Sequence, residues 1–264
     1  MVKVLVAGAL GKMGQAVVKA VWQDEGLVLA GAVDVAANNE DVGEAAGLGK
    51  IGVQVQKDLL AAIKQTKPDV LVDFTVPKSV MGNIKTALEN GVSPVVGTTG
   101  LSAADLEVVK KLCQEKQKSA LIAPNFAIGA ILMLKLSQEV AKYMPQVEII
   151  ELHHDQKLDA PSGTAARTAE LIRAVRGDLR QGHPDEFEKI PGARGGDVGG
   201  IKIHSIRLPG YVAHQEVIFG GLGQTLSIRH DSISRESFMP GVVLACKKIL
   251  QAEGLIYGLE NMMD

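Results

Sequence analysis

The chain has 264 residues, 46% hydrophobic and 22% charged, with a formal net charge of −2. That is enough apolar material for a full core in one large or two smaller domains, and it lacks the basic surplus of a nucleic-acid binder. Aromatics at 3% are too few for base-stacking platforms, and no apolar run nears the roughly 18 residues of a membrane span. Neither a nucleic-acid nor a membrane partner is therefore expected.

In chain order, Val2-Lys3-Val4-Leu5-Val6-Ala7 is nearly all apolar, the pattern of a strand buried on both faces. It lacks the long apolar core and cleavage site of a signal peptide. It leads into Gly8-Ala9-Leu10-Gly11-Lys12-Met13-Gly14 and a helix with Met13, Ala16, Val17, Ala20 and Val21 on one face. A second strand, Leu27 to Val33, closes on Asp34, 20 residues after Gly14. That is the spacing between a dinucleotide-binding glycine loop and the acid that accepts from ribose hydroxyls. Glycines let the backbone approach a pyrophosphate, and the helix N-terminus carries its charge. Leu10 occupies the second glycine of the commoner G-x-G-x-x-G, so the pattern here is G-x-x-G-x-x-G.

The α/β alternation continues. Asp58 is placed to cap a helix carrying Leu59, Leu60 and Ile63, and Val70 to Phe74 reads as a buried strand. Ser79 is expected to cap the next helix, which Asn90-Gly91 stops. Pro94-Val95-Val96 ends in Gly97-Thr98-Thr99-Gly100, which by itself also reads as an ordinary turn. Ser102 and Asp105 form a capping-box pattern. A strand over Ala120-Leu121-Ile122 ends at Ala123-Pro124-Asn125-Phe126. Three loops thus sit at strand C-terminal ends, where open parallel sheets bind ligands.

After residue 126 the rhythm changes. A helix aligning Leu132, Leu136, Val140 and Tyr143 precedes an apolar run, Val147 to Leu152, that reads as a buried strand. Asp178 to Gly200 is polar and glycine-rich and reads as a mobile loop or lid. Ile201 to Arg207, Val212 to Phe219 and Gln224 to His230 read as strands joined by short turns, hence antiparallel, and a last helix starts near Pro240. Cys113 and Cys246 lie on apolar helix faces and read as buried thiols of a reducing, cytoplasmic compartment rather than as a disulfide or metal pair. The fold class is α/β: an N-terminal Rossmann-like parallel-sheet dinucleotide domain plus an α+β domain with a mixed sheet. No metal site is expected.

The most informative stretch follows the Val147 strand. His153 and His154 stand at its end, Lys157 comes shortly after, and Ser162-Gly163-Thr164 opens a helix with Ala165, Ala169, Ile172 and Val175 on one face. A helix start binds carboxylates, lysine adds positive charge, and histidine can supply a proton near neutral pH. The segment therefore suits an anionic substrate that must be protonated. Each part also has an ordinary reading: a structural histidine pair, a turn at Asp159 to Gly163, a solvated lysine.

With Val6 to Gly14, Val72 to Pro77, Gly97 to Gly100, and His153-His154 through Lys157 to Ala165 in view, the chain resembles the 4-hydroxy-tetrahydrodipicolinate reductase (dihydrodipicolinate reductase) family of lysine and diaminopimelate biosynthesis. The resemblance covers essentially the whole length. It implies NADH or NADPH bound on Gly8, Ala9, Leu10, Gly11, Lys12, Met13, Gly14 and Asp34, on Gly97, Thr98 and Thr99, and on Ala123, Pro124, Asn125 and Phe126. It implies His153 as catalytic acid/base and Lys157 as proton donor. His154, Gly163 and Thr164, with Ser162 at the helix start, match the positions that bind a small dicarboxylate, whose second carboxylate Arg235 or His230 could meet.

The same resemblance implies a dinucleotide domain of residues 1–126 plus 236–264, a substrate and tetramerisation domain of residues 127–235, and a cytoplasmic homotetramer. Two departures stand out. Asp155 and Gln156 lie where the family often has basic residues. Val35 replaces the arginine frequent in members that use both cofactors. Lys12 can supply part of that charge, so both cofactors are expected. Another pyridine-nucleotide dehydrogenase of amino-acid metabolism and a non-catalytic dinucleotide sensor are the competing readings.

Overall fold

Residues 1–263 are described by the computed structural model, and the opening apolar run is its first strand. The chain runs β1 (Val2–Ala7), α1 (Lys12–Gln23), β2 (Leu27–Val33), α2 (Val42–Ala45), β3 (Val55–Gln56), α3 (Leu59–Thr66), β4 (Val70–Asp73), α4 (Pro77–Glu89), β5 (Ser93–Val96), α5 (Ala103–Lys116) and β6 (Ala120–Ile122). It continues through α6 (Ile128–Ala141), β7 (Gln146–His153), α7 (Gly163–Arg176), β8 (Gly196–Val198), β9 (Ile201–Arg207), β10 (Ala213–Gly221), β11 (Gln224–Ser232), α8 (Met239–Lys248) and β12 (Leu255–Tyr257). Two compact units result: Met1–Ala127 with the chain from Arg235 onward, and Ile128–Ser234.

The first unit is a Rossmann-like parallel sheet of order β12-β6-β5-β4-β1-β2-β3. β1 and β4 are buried through Val4, Leu5, Val6, Val70, Leu71 and Val72, as their apolar runs require. From β1 the chain moves outward one way through β2 and β3, then restarts at β4 and moves the other way. The switch point therefore lies between the ends of β1 and β4, where Ala7 pairs with Asp73. Open α/β sheets bind their ligands at such a point.

Local chemistry sets the helix starts. Asp58 accepts from the Ala61 N–H at 2.9 Å, and Ser102 and Asp105 cap each other's backbone. α4, however, begins at Pro77 rather than behind Ser79. The proline ring presets φ and lacks only an N–H that a first turn leaves unbonded, so it outcompetes a serine cap two residues on.

The second unit carries a mixed sheet of order β11-β10-β7-β9-β8. Its core joins Val147, Ile149, Ile201, Ile203, Val217 and Phe219 of the sheet to Met133, Ala141, Ala165, Ala169 and Ile172 of α6 and α7. β9 and β10 run in opposite directions, but they are not a hairpin: β7 lies between them, parallel to β9 and antiparallel to β10.

Two other expectations change here. The buried stripe of α6 is Ala130, Ile131, Met133, Ser137 and Ala141, one residue round from the aligned Leu132 and Leu136, which are exposed. The segment from Asp178 to Gly200 contributes β8 and is tied to the start of β7: Gln181 bonds both backbone groups of Val147, and Arg194 pairs with Glu148. Those anchors lie about 20 Å along the strand from His153, at roughly 3.3 Å per residue. The segment is thus no lid over the histidines.

Among the described residues no helix is long and apolar enough to cross a membrane.

Candidate active site

The glycine loop follows β1 because the chain must turn sharply onto α1. Gly8 takes φ +78°, and a Cβ there would lie 2.5 Å from the Phe74 carbonyl oxygen. A Cβ on Gly14 would lie 1.9 Å from the Gly8 oxygen. Both glycines are therefore demanded by close backbone approach. Asp34 fastens the loop: its carboxylate accepts from the Leu10 N–H and the Ala36 N–H, each at 3.0 Å.

Beside it opens a cavity of about 310 Å³, lined by Gly8, Gly11, Asp34, Val35, Lys57 and Phe74 among others. Lys12 is exposed at the start of α1, Met13 is half-buried and Ala9 is fully buried, so Ala9 shapes the loop from within.

At the end of β4 the buried Asp73 collects the Thr75 hydroxyl at 2.8 Å, the Asn83 amide at 2.7 Å and the Thr98 hydroxyl at 2.7 Å. This network sets the Gly97–Gly100 loop against the β4 loop. A Cβ on Gly97 would stand 2.1 Å from the Phe74 ring, whereas Thr99 is exposed. In the last loop Ala123 and Phe126 are buried, with the Phe126 ring 5.7 Å from that of Phe74. Pro124 is exposed and Asn125 partly so, the latter accepting from the Ala127 N–H at 2.9 Å. Of the expected four, Pro124 and Asn125 present surface, while Ala123 and Phe126 build the floor.

In the second unit the end of β7 carries the other group of expected residues. Glu151 and His153 share a strand face, two residues apart. His153 Nδ1 lies 2.5 Å from Glu151 Oε2. Arg207, on the neighbouring β9, holds the same carboxylate through two bonds of 2.9 and 2.7 Å. Burial alone would raise the Glu151 pKa, but the bonds from His153, Arg207 and Ser205 outweigh it and hold the carboxyl at about 2.

The loop beyond is pinned as well. Arg207 also donates to the Asp159 carbonyl at 2.8 Å, and Lys157 pairs with the Asp159 carboxylate at 2.7 Å, which holds that carboxyl below its usual range.

Ser162 is turned inward. Its N–H donates to Glu151 Oε1 at 3.2 Å and its hydroxyl oxygen accepts from the Ala165 N–H at 3.2 Å, so it caps α7 and only its hydroxyl hydrogen is left for a ligand. Gly163 is exposed with no atom within 4 Å of where a Cβ would stand, and Thr164 and His154 are partly or fully exposed. An open helix start with a lysine and two histidines beside it can receive a carboxylate and deliver a proton. Burial pushes the His230 pKa down, and a Cβ on Gly129 would lie 2.5 Å from its ring.

Comparison with known proteins agrees with both halves. The family model described as dihydrodipicolinate reductase, N-terminus, matches residues 2–126, and the one described as dihydrodipicolinate reductase, C-terminus, matches residues 129–263. The chain belongs to the dihydrodipicolinate reductase family. It is 55% identical to a 4-hydroxy-tetrahydrodipicolinate reductase of Desulfitobacterium hafniense over 100% of this chain and 99% of that one. It is 52% identical to the enzyme of that name from Bacillus velezensis over 100% and 98%. Among solved structures, a dipicolinate-bound dihydrodipicolinate reductase from Paenisporosarcina sp. TG-14 superposes with a TM-score of 0.89 at 44% identity, covering 100% of both chains. An amine dehydrogenase from Mycobacterium smegmatis (TM-score 0.71, 14% identity, 98% and 95% covered) shares the fold alone.

Four groups of this family member escaped the reading of its sequence. Asp73 looked like the end of a buried strand, and Lys57 carried no motif. Glu151 was detectable in principle, since an acid two residues before His153 on a strand must share its face. Arg207, 56 residues from Glu151, gave no local signal.

Proposed function

We propose that the chain catalyses the NAD(P)H-dependent reduction of 4-hydroxy-tetrahydrodipicolinate to tetrahydrodipicolinate in lysine and diaminopimelate biosynthesis. The observation that carries this reading is the His153–Lys157 pair beside the open Gly163–Thr164 helix start, in a chain that matches the reductase family through both units. A nicotinamide dinucleotide fits the first unit. The Gly8–Gly14 cradle has no room for a Cβ at either end, and Asp34 stands at the rim of the adjoining cavity. Gly8, Gly11, Asp34, Thr99, Pro124 and Asn125 would hold it. Bound there, it supplies the hydride.

The protein's own residues do the rest. The N–H groups of Gly163 and Thr164, with His154 and Lys157, bind one carboxylate of a cyclic dicarboxylate, the class to which the ligand of the Paenisporosarcina relative belongs. To reach the substrate, Lys157 must leave its Asp159 partner. Loss of the 4-hydroxyl as water gives the conjugated imine, and hydride addition to it leaves one negative charge, quenched by one proton that His153 Nε2 and Lys157 supply between them; such acid catalysis is worth ~10²–10⁴-fold.

Both NADH and NADPH are accepted in this reading. Val35 offers no grip on a 2′-phosphate, but Lys57 lines the cavity beside it, and Lys12 adds charge at the helix start. The chain assembles as a cytoplasmic homotetramer through the second unit's sheet, a reading supported by the exposed edge strand β11 and its Leu222 and Leu226 neighbourhood.

The test follows nicotinamide absorbance with substrate generated in place from pyruvate and aspartate semialdehyde by a synthase. Synthase-dependent oxidation is expected, with His153→Ala and Lys157→Ala each lowering kcat by ~10²–10⁴-fold at unchanged dinucleotide affinity. Tight dinucleotide binding without oxidation would remove the reductase reading in favour of a sensor.

A further inference from the structure

The wholly buried Glu151 carboxylate touches three parts of the second unit's site at once. Oε2 faces His153 Nδ1, Oε1 accepts the Ser162 N–H at the start of α7, and Arg207 clamps both oxygens while reaching the Asp159 carbonyl beside the partner of Lys157. A bidentate guanidinium keeps such a carboxylate ionised, and an ionised carboxylate can only accept. The ring nitrogen facing it must therefore carry the hydrogen. That leaves Nε2 as the position through which the imidazole gains and loses its proton.

We propose that Glu151, clamped by Arg207, is a positioning residue for the reduction: it fixes the His153 imidazole as the Nδ1–H tautomer and holds the α7 start and the Lys157 loop in register with that ring. The inference rests on His153 being the proton donor. A buried ion pair on its own does little for stability, because desolvation offsets the attraction, so replacing both partners by uncharged side chains is often tolerated. A role in the tautomer is different: it disappears with the anion even where the fold survives.

Four variants separate these cases: Glu151→Gln, Glu151→Asp, the double variant Glu151→Gln with Arg207→Met, and His153→Ala. The double variant matters because Glu151→Gln alone leaves Arg207 buried beside no anion and risks misfolding. Steady-state kinetics are read together with dinucleotide affinity, thermal unfolding and ¹⁵N-histidine NMR. Both uncharged variants should lose about 10- to 100-fold in kcat, the size usual for residues that orient a reactive group through a hydrogen bond. Substrate KM should change far less and dinucleotide affinity not at all. Glu151→Asp should recover part of the loss. The neutral His153 ring should change from Nδ1–H in the parent to Nε2–H, or a mixture, in the two uncharged variants.

A folded double variant with kcat within about twofold of the parent, or with an unchanged tautomer, overturns the proposal. If His153→Ala is inactive while Glu151→Gln turns over normally, the positioning role alone fails. If His153→Ala keeps its turnover, the proton-donor reading falls and this inference with it.

Discussion

Alanine at Gly14 tests whether the dinucleotide loop is held by backbone contact. Its Cβ would sit 1.9 Å from the Gly8 oxygen, 2.7 Å from the Gly8 carbonyl carbon and 2.8 Å from Ala9 Cα. Real Cβ contacts stay beyond 3.0 Å, so α1 and the loop must part by about 1 Å. All three neighbours are backbone atoms, and none can swing aside. Helix propensity favours alanine over glycine by up to about 1 kcal/mol, but overpacking a rigid site costs about 1–3 kcal/mol. The clash wins.

A displacement of that size also breaks the 3.1 Å bond from the Gly11 N–H to the Gly8 oxygen, so the loop N–H groups lose their alignment. The variant should bind NADH at least about tenfold more weakly and melt lower. Gly82→Ala is the control: it lies within α4 with nothing inside 4 Å of its Cβ, so it should gain up to about 1 kcal/mol. Fluorescence titration and thermal melts read both. A Gly14→Ala variant with parental NADH affinity and melting temperature would refute the close-approach argument.

Three further outcomes follow from the same geometry. Glu151 is held at about 2 against an ordinary 4.5, so the parent loses stability, by roughly 3 kcal/mol in all, as the pH falls from 4.5 towards 2, a loss the uncharged Glu151/Arg207 double variant does not share. Denaturant unfolding should therefore show the parent falling relative to that double variant between neutral pH and about pH 3, and a constant difference would contradict the linkage. Val35→Arg should raise the NADPH-to-NADH ratio of kcat/KM by about tenfold and Lys57→Ala should lower it; ratios unmoved by either change would place the 2′-phosphate elsewhere. Burial pushes the Cys246 thiol up to about 12 and Cys113 up to about 11, so a disulfide reagent should label neither in the native protein at neutral pH and both after unfolding. Fast native labelling would show that one of these helix faces opens.

Features decided within a few residues were legible from the amino acids alone. The Asp58 cap and the Ser102–Asp105 box need only neighbours three residues away. The Gly8–Gly14 loop follows from one strand, one tight turn and one helix start, and Gly163 and Thr164 open α7 because Ser162 precedes them. Apolar runs also determined that the first sheet is parallel and covered on both faces, since only doubly buried strands lack polar alternation.

Pairings across the chain were decided by the tertiary structure. Periodicity marked β9 and β10 as strands but not that β7 separates them, and it aligned Leu132 with Leu136 on the face of α6 that turned out exposed. Glycine-rich composition likewise suggested a lid where Arg194 and Gln181 instead bind the far end of β7. Most tellingly, His153 and Lys157 could be picked out one by one, whereas the anion that orients His153 and the arginine that clamps it meet only because β9 lies beside β7. Caps and tight turns are short-range and written locally. The identity of a neighbouring strand is settled by which arrangement buries Ile149, Ile203 and Val217 together, and that is a property of the whole unit.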